Sequence, residues 1–401
     1  MAYLTCTLTA PVYPSATTMR SPMPLNTYPN PDLSVGPELH PRWNSAPYRR
    51  HGFHNLHQIA RYTQSFRAAS VLELRLAADL SIPARDDVHR LTASPWFSAM
   101  AVTEGNRLLY EAYAPDFRPD QPHSIMSISK MAANLILGQL WEDGKLALDQ
   151  TLGEILPWIG AGYHGAKVQD ILDMNVHNAF NEDYTDPGTT VFQHEVAMGM
   201  RLPDGPEPLT RDLLAGIALA PGAKDTVNRT GACLYKSANT DVLMLAAEAL
   251  GGRPIGGWLA DLADAAGVEG ALYMGTDRSG APIVSGGICL TARDLCRYGA
   301  MFARNGQGVD GRPYGSAAFL DRTRVGGVPM PAPRQHLRYS NQTNTNGIWV
   351  GHGGYGGQYM VANAKTGRVA CFLSVLQNAP GYDPNYYPPI IAMLEAICAG
   401  T

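Results

Sequence analysis

Six lysines occur in the chain, and only Lys130 has a serine three residues before it, Ser127. Three residues is one helical turn, so both side chains share a face. A serine there lies near the positive end of the helix, where an alkoxide and a developing oxyanion are favoured. A lysine buried beside it loses part of its proton affinity and can serve as a base. The pair alone also fits an ordinary helix start, so its neighbours must decide. Downstream, LYKSANTDVLML places Tyr235 and Ser237 just before a second apolar helix. A tyrosine hydroxyl there can hand protons to and from a reacting group. Further on, VGHGGYGGQYM packs five glycines around His352 and a strand, where missing side chains let a substrate lie against a sheet edge.

Elements that would hold these residues are legible in the pattern. WFSAMAVT and RLLYEAY flank Glu104-Gly105-Asn106, a hairpin signal. A helix is expected from Ser127 to Glu142, striped by Ile128, Met131, Leu135 and Gly138 and stopped by Gly144. A second runs from Asn239 to Leu250, closed by Gly251-Gly252. A third starts at Thr291, with Asp294 three residues on as a capping-box variant. Gln358–Asn363 and Arg368–Leu376 form a hairpin across Ala364-Lys365-Thr366-Gly367, and a last helix covers about Asn385 to Cys398. Strands near both ends with helices between predict an antiparallel sheet built from both ends, carrying a helical insertion. The expected division is a proline-rich extension over 1–50, an α/β domain from 51–145 and 270–401, and a mainly helical domain over 146–269.

The bulk composition narrows the functional classes. The chain has 401 residues, 45% apolar and 16% charged, with net charge −4 and no basic block, which gives no electrostatic case for nucleic acid. No apolar run reaches the roughly 18–20 residues of a membrane span. The start, MAYLTCTLTAPVYPS, lacks a basic and apolar signal pattern. The six cysteines are scattered without C-x-x-C, which fits free thiols and a cytoplasmic location. His51, His54 and His57 have metal-like spacing, but no carboxylate or cysteine nearby completes a site, so they are expected to be surface or packing residues. Neither a metal nor a cofactor is expected.

In order along the chain, S-x-x-K at Ser127–Lys130, Y-x-S at Tyr235–Ser237 and His352-Gly353-Gly354 resemble the three elements of the serine β-lactamase and penicillin-binding-protein superfamily. The resemblance covers about residues 95–400. MSISK, LDMNVHNAFNEDYTDP, YKSANTDVL and SGGICLTARDL resemble stretches of the 6-aminohexanoate-dimer (nylon-oligomer) hydrolases within it. The resemblance implies a β-lactamase-like fold, an α/β domain from both ends plus an all-α domain. It implies a serine hydrolase working through an acyl-enzyme on a small-molecule amide or ester. Ser127 would attack, Lys130 would take its proton, and Tyr235 would protonate the leaving group. The backbone N–H groups of Ser127 and Tyr355 would hold the oxyanion. Tyr184 matches a tyrosine that closes over substrate. Ser237, Ser285, His352 and Gly354 would line the pocket, and Glu195 and Asp383 match acidic contacts to a substrate amine.

Two departures bear on that reading. Lys365-Thr366-Gly367 spells the superfamily's K-T-G, yet it falls in the hairpin turn, and His352 takes the functional position instead. A histidine there is mostly neutral near pH 7, unlike the usual lysine. Together with the missing signal pattern, this favours a cytoplasmic hydrolase of small amides or esters over a periplasmic β-lactamase or a cell-wall peptidase. A carboxylesterase, an acyltransferase and a non-catalytic binding protein with the same fold are the alternatives, and a homodimer is left open.

Overall fold

The computed structural model describes residues 40–184, 186 and 188–400. These fall in one compact unit. Most of the expected N-terminal extension lies outside the described residues. In its last part, residues 40–50, Trp43 and Arg49 are buried, and Arg49 donates to the carbonyls of Leu376 and Asn378.

The functional frame uses five strands and six helices. The strands are β1 (Phe97–Glu104), β2 (Arg107–Tyr113), β3 (Val350–Gly354), β4 (Gln358–Asn363) and β5 (Arg368–Ser374). The helices are α1 (Arg49–Ile59), α2 (Met131–Glu142), α3 (Thr190–Ala197), α4 (Ser237–Gly251), α5 (Ala292–Ala303) and α6 (Tyr387–Ala399). The five strands are the middle of a nine-stranded sheet, ordered β2-β1-β5-β4-β3, with a short strand outside β2 and three outside β3. Every pairing is antiparallel except the outermost one, Arg75–Leu76 beside β2. The β1–β5 pairing joins the two ends of the chain, as the strand order in the sequence implies. A four-stranded sheet, Thr63–Phe66, Leu272–Gly275, Ile288–Leu290 and His123–Ser124, lies apart from it.

Side chains alternate across a strand, and both faces of the large sheet are covered. Val369, Cys371 and Leu373 of β5 join one core with Leu295, Cys296 and Tyr298 of α5. Ala370 and Phe372 join the other, with Ile390, Met393 and Leu394 of α6. Burial on both sides explains why β4 and β5 carry apolar residues almost without alternation. Gly299 allows α5 to lie this close, because a Cβ there would stand 2.5 Å from Val369 Cγ1. The hairpin turns, the Thr291 cap on Asp294 N–H and the left-handed Gly252 after α4 agree with the sequence.

One expected helix differs. The segment from Ser127 begins as a 3₁₀ turn, Met126–Lys130, before α2 starts at Met131. Met126 has φ +47°, a left-handed conformation unusual for methionine. The chain turns sharply out of His123–Ser124 there, and the tighter 3₁₀ winding follows. Residues i and i+3 eclipse in a 3₁₀ turn, which stacks Lys130 directly on Ser127.

Candidate active site

Ser127 is half-buried at the mouth of this turn, while Lys130 is fully buried below it. Lys130 Nζ donates to Ser127 Oγ at 3.0 Å, to Ser237 Oγ at 3.0 Å and to the Ser285 carbonyl. All three acceptors are neutral. Two carboxylates stand one hydrogen bond further out. Glu182 accepts from the Ser237 hydroxyl at 2.8 Å and from its backbone N–H. Asp241 accepts from Ser285 Oγ at 2.6 Å and Ser285 N–H at 3.0 Å, and lies 3.1 Å from buried His194 Nε2. Burial therefore lowers the Lys130 pKa to about 8, with Glu182 and then Asp241 opposing the fall.

Tyr235 comes in from the start of α4. Its ring centre is 5.1 Å from Lys130 Nζ. Its hydroxyl is buried and has no hydrogen-bond partner within 3.5 Å among the described residues. Burial raises its pKa well above the tyrosine range and Glu182 adds to the rise, while the Ser127 hydroxyl opposes it. On the far side, β3 delivers His352, Gly353, Gly354 and then Tyr355. Gly354 is required by contact: a Cβ there would stand 2.4 Å from the Ile125 carbonyl, just before the serine turn. The Gly354 carbonyl is held by the Tyr387 hydroxyl at 2.9 Å, and the Tyr355 carbonyl by Gln358 Nε2 at 2.7 Å. Neither the Ser127 nor the Tyr355 backbone N–H has an acceptor among the described residues. An unpaired donor pair beside a serine is what an oxyanion needs.

His352 is buried. Its Nδ1 faces the Gly353 carbonyl at 2.5 Å and its Nε2 the Tyr339 hydroxyl at 3.1 Å. Burial, followed by the Lys130 charge, lowers its pKa to about 3, so it is neutral at pH 7. The K-T-G triplet sits in the β4–β5 turn, with Gly367 at φ +72° and Thr366 Oγ1 donating to the Cys398 carbonyl at 2.7 Å; it lines neither cavity at Ser127.

Two cavities share Ser127, Tyr184 and Tyr355. The larger, about 380 Å³, also reaches Tyr235, His352 and Gly354. The smaller, about 40 Å³, reaches Ser237, Ser285 and Glu195. Tyr184 stands between them, its ring 5.1 Å from that of Tyr355 and its hydroxyl donating to Glu182 at 3.0 Å. Glu195, on α3, is buried and paired with Arg201 at 2.5 Å. Burial raises its pKa and Arg201 opposes the rise. Ser285 faces the small cavity, but its hydroxyl is taken by Asp241 and its carbonyl holds Lys130. Asp383 lines neither cavity. Its carboxylate accepts from Asn385 N–H at 2.9 Å, a local turn that leads the chain into α6, and the neighbouring Tyr382 takes the cavity position.

Three residues enter the site without having been singled out from the sequence. Glu182 lies two residues before Tyr184 in NEDYTDP, and Asp241 lies in SANTD, so both sit inside motifs that could have pointed to them. Arg334, on the larger cavity, sits in no motif. Of the three spaced histidines, His54 is buried with its Nε2 2.9 Å from Ser98 Oγ, which His123 also approaches at 3.3 Å.

Comparison with known proteins bears on the family and the fold. A β-lactamase family model matches residues 98–261. Fold, family match and relatives make the chain similar to the β-lactamase-related hydrolases. The chain is similar to the 6-aminohexanoate-dimer hydrolase of Paenarthrobacter ureafaciens, at 29% identity over 305 residues, covering 74% of this chain and 75% of that protein. A Bacillus anthracis structure provisionally assigned as a 6-aminohexanoate-dimer hydrolase aligns with TM-score 0.76 at 18% identity, over 90% of this chain and 96% of that one. A penicillin-binding protein homologue from Caulobacter crescentus aligns with TM-score 0.57 at 16% identity, over 79% and 99%. Both share the fold. Among the described residues no helix is long and apolar enough to cross a membrane.

Proposed function

We propose that this hydrolase cleaves a small amide of the 6-aminohexanoate-oligomer kind through an acyl-enzyme on Ser127. The observation that carries the reading is Lys130: fully buried, 3.0 Å from Ser127 Oγ, with a pKa of about 8. A lysine in that range is neutral often enough at pH 7–9 to take the serine proton. In the first step Ser127 Oγ bonds to the amide carbon as its proton passes to Lys130 Nζ. The carbonyl oxygen becomes an oxyanion between the N–H groups of Ser127 and Tyr355. The carbon–nitrogen bond then breaks. The leaving nitrogen takes the Tyr235 proton, and the Lys130 ammonium returns one to Tyr235. Water repeats the sequence in reverse roles, releasing the acid and freeing Ser127. Tyr184 closes the boundary of the two cavities, and Glu195 faces a substrate amine in the smaller one.

The test is covalent. Intact-protein mass spectrometry with a slow ester or amide should show one acyl adduct on the wild type and none on Ser127→Ala. Ser127→Ala should keep its fold and lose nearly all turnover. An adduct that persists in the alanine variant, or near wild-type turnover by it, would refute the assignment.

A further inference from the structure

The larger cavity holds a cation that the proposed chemistry does not use. We propose that Arg334 binds a carboxylate on the substrate, so that the preferred amides carry an acidic end in the larger cavity. This rests on Ser127 being the reacting centre, since the cavity is defined by its place beside that serine.

Arg334 lines the cavity with Ser127 and Tyr235 and forms no salt bridge among the described residues. Its Nε is buried without an acceptor. Among the described residues its one hydrogen bond reaches the Tyr382 hydroxyl at 3.5 Å, the limit of such a contact. Its guanidinium carbon lies 5.5 Å from the Tyr387 ring centre, within cation–π range. A buried N–H left unpaired is costly, and in a cavity wall the natural partner is a ligand acceptor. The fork fits a carboxylate in two parallel bonds. Apolar Met330 and Pro331 beside it suit a short hydrocarbon linker. A phosphate dianion fits less well, because the same cavity is also lined by Glu182 and Asp183 and offers no second arginine or lysine among the described residues. The positive charge acts into the site: burial raises the Tyr235 and Tyr387 pKa values, and Arg334 opposes both rises.

The probes are hexanoate, hexanamide and hexyl phosphate, titrated calorimetrically into wild type, Arg334→Gln and Arg334→Lys. Wild type should prefer hexanoate to hexanamide by about tenfold or more. Arg334→Gln should lose that preference, and Arg334→Lys should keep part of it with a melting temperature near wild type. Equal binding of acid and amide by wild type, or a preference that survives in Arg334→Gln, would overturn the proposal. Tighter binding of hexyl phosphate than hexanoate would overturn the carboxylate as ligand class. Calorimetry needs no turnover, so failure of the hydrolase mechanism and failure of this site read out separately.

Discussion

The pH dependence of the reaction tests the mechanism at its most specific point, the lysine. Only neutral Lys130 can accept the Ser127 proton, and its pKa of about 8 means the ammonium form dominates at pH 7. The neutral fraction is about a tenth at pH 7 and about nine-tenths at pH 9, so kcat/KM should rise roughly tenfold across that range. A neutral short-chain ester is the right substrate, because its own charge does not titrate there. Initial rates of the wild type, with Ser127→Ala as the blank for hydroxide attack, give the rising limb of the free enzyme.

The structure also says what should move that limb. Glu182 stands one hydrogen bond from Lys130, through Ser237, and its charge holds the lysine pKa up against burial. Glu182→Gln keeps the hydrogen-bonding shape and removes the charge, so the limb should shift to lower pH. Lys130→Arg should abolish the limb together with activity, because a guanidinium stays protonated. A limb near 8 that does not move in Glu182→Gln would assign the titration to another group. A flat profile from pH 6 to 9 would mean that no lysine proton is at stake and would refute the base assignment.

Further predictions follow from particular contacts. Gly354→Ala should lower kcat by about a hundredfold in a folded protein, because a methyl 2.4 Å from the Ile125 carbonyl pushes β3 away from the serine turn; circular dichroism with kinetics checks it. Acid should destabilise the fold. Burial lowers the pKa values of His54, His123 and His352 to about 2, 4 and 3, so the unfolded state binds more protons below its ordinary histidine pKa. Stability is then complete above about pH 6.5 and falls as pH drops toward those folded values, by about 2 kcal/mol per histidine between pH 7 and pH 5. Urea unfolding at both pH values measures the loss, and His54→Gln should flatten it. For Glu195, Arg201 already balances the charge, so Arg201→Gln should lower KM for an amide bearing a free amine, while Glu195→Gln raises it about tenfold. A neutral ester of equal length should respond to neither; equal effects on both substrates would mean that the pair only supports α3.

What the sequence disclosed was local or periodic. The Glu104–Asn106 and Ala364–Gly367 turns, the Thr291 cap and the Gly252 stop each depend on a few adjacent residues. The Ser127–Lys130 spacing is local too, although its 3₁₀ winding is imposed by the left-handed Met126, which no propensity marks. The long-range parts were hidden for a different reason. Glu182 meets Ser237 only through folding, across 55 positions. The acceptor that Ser285 offers to Lys130 is a backbone carbonyl, and a carbonyl carries no residue signature. Asp383 sat beside the right segment in sequence, but a local turn fixed its carboxylate to Asn385 N–H and put Tyr382 on the cavity. Arg334 stands in a loop whose path no pattern constrains.

The arrangement around Lys130 resolves a conflict between burial and proton transfer. A buried lysine with no charge near it becomes neutral too readily, with a pKa that can fall to about 5–6, and is then a weak base. One with a carboxylate in contact stays an ammonium and cannot accept a proton at all. Here Ser237 and Ser285 interpose a hydroxyl and a carbonyl between the lysine and the two carboxylates. The charges are close enough to oppose desolvation and too indirect to lock the proton. The same two serines fix the direction of the ammonium, leaving its third hydrogen bond for Ser127 Oγ. In the proposed mechanism Ser237 is a positioning residue as much as a pocket wall, which gives a physical reason for a serine two residues after Tyr235. A side chain there that could not both accept from Lys130 and donate to Glu182 would leave the lysine either mispointed or too acidic.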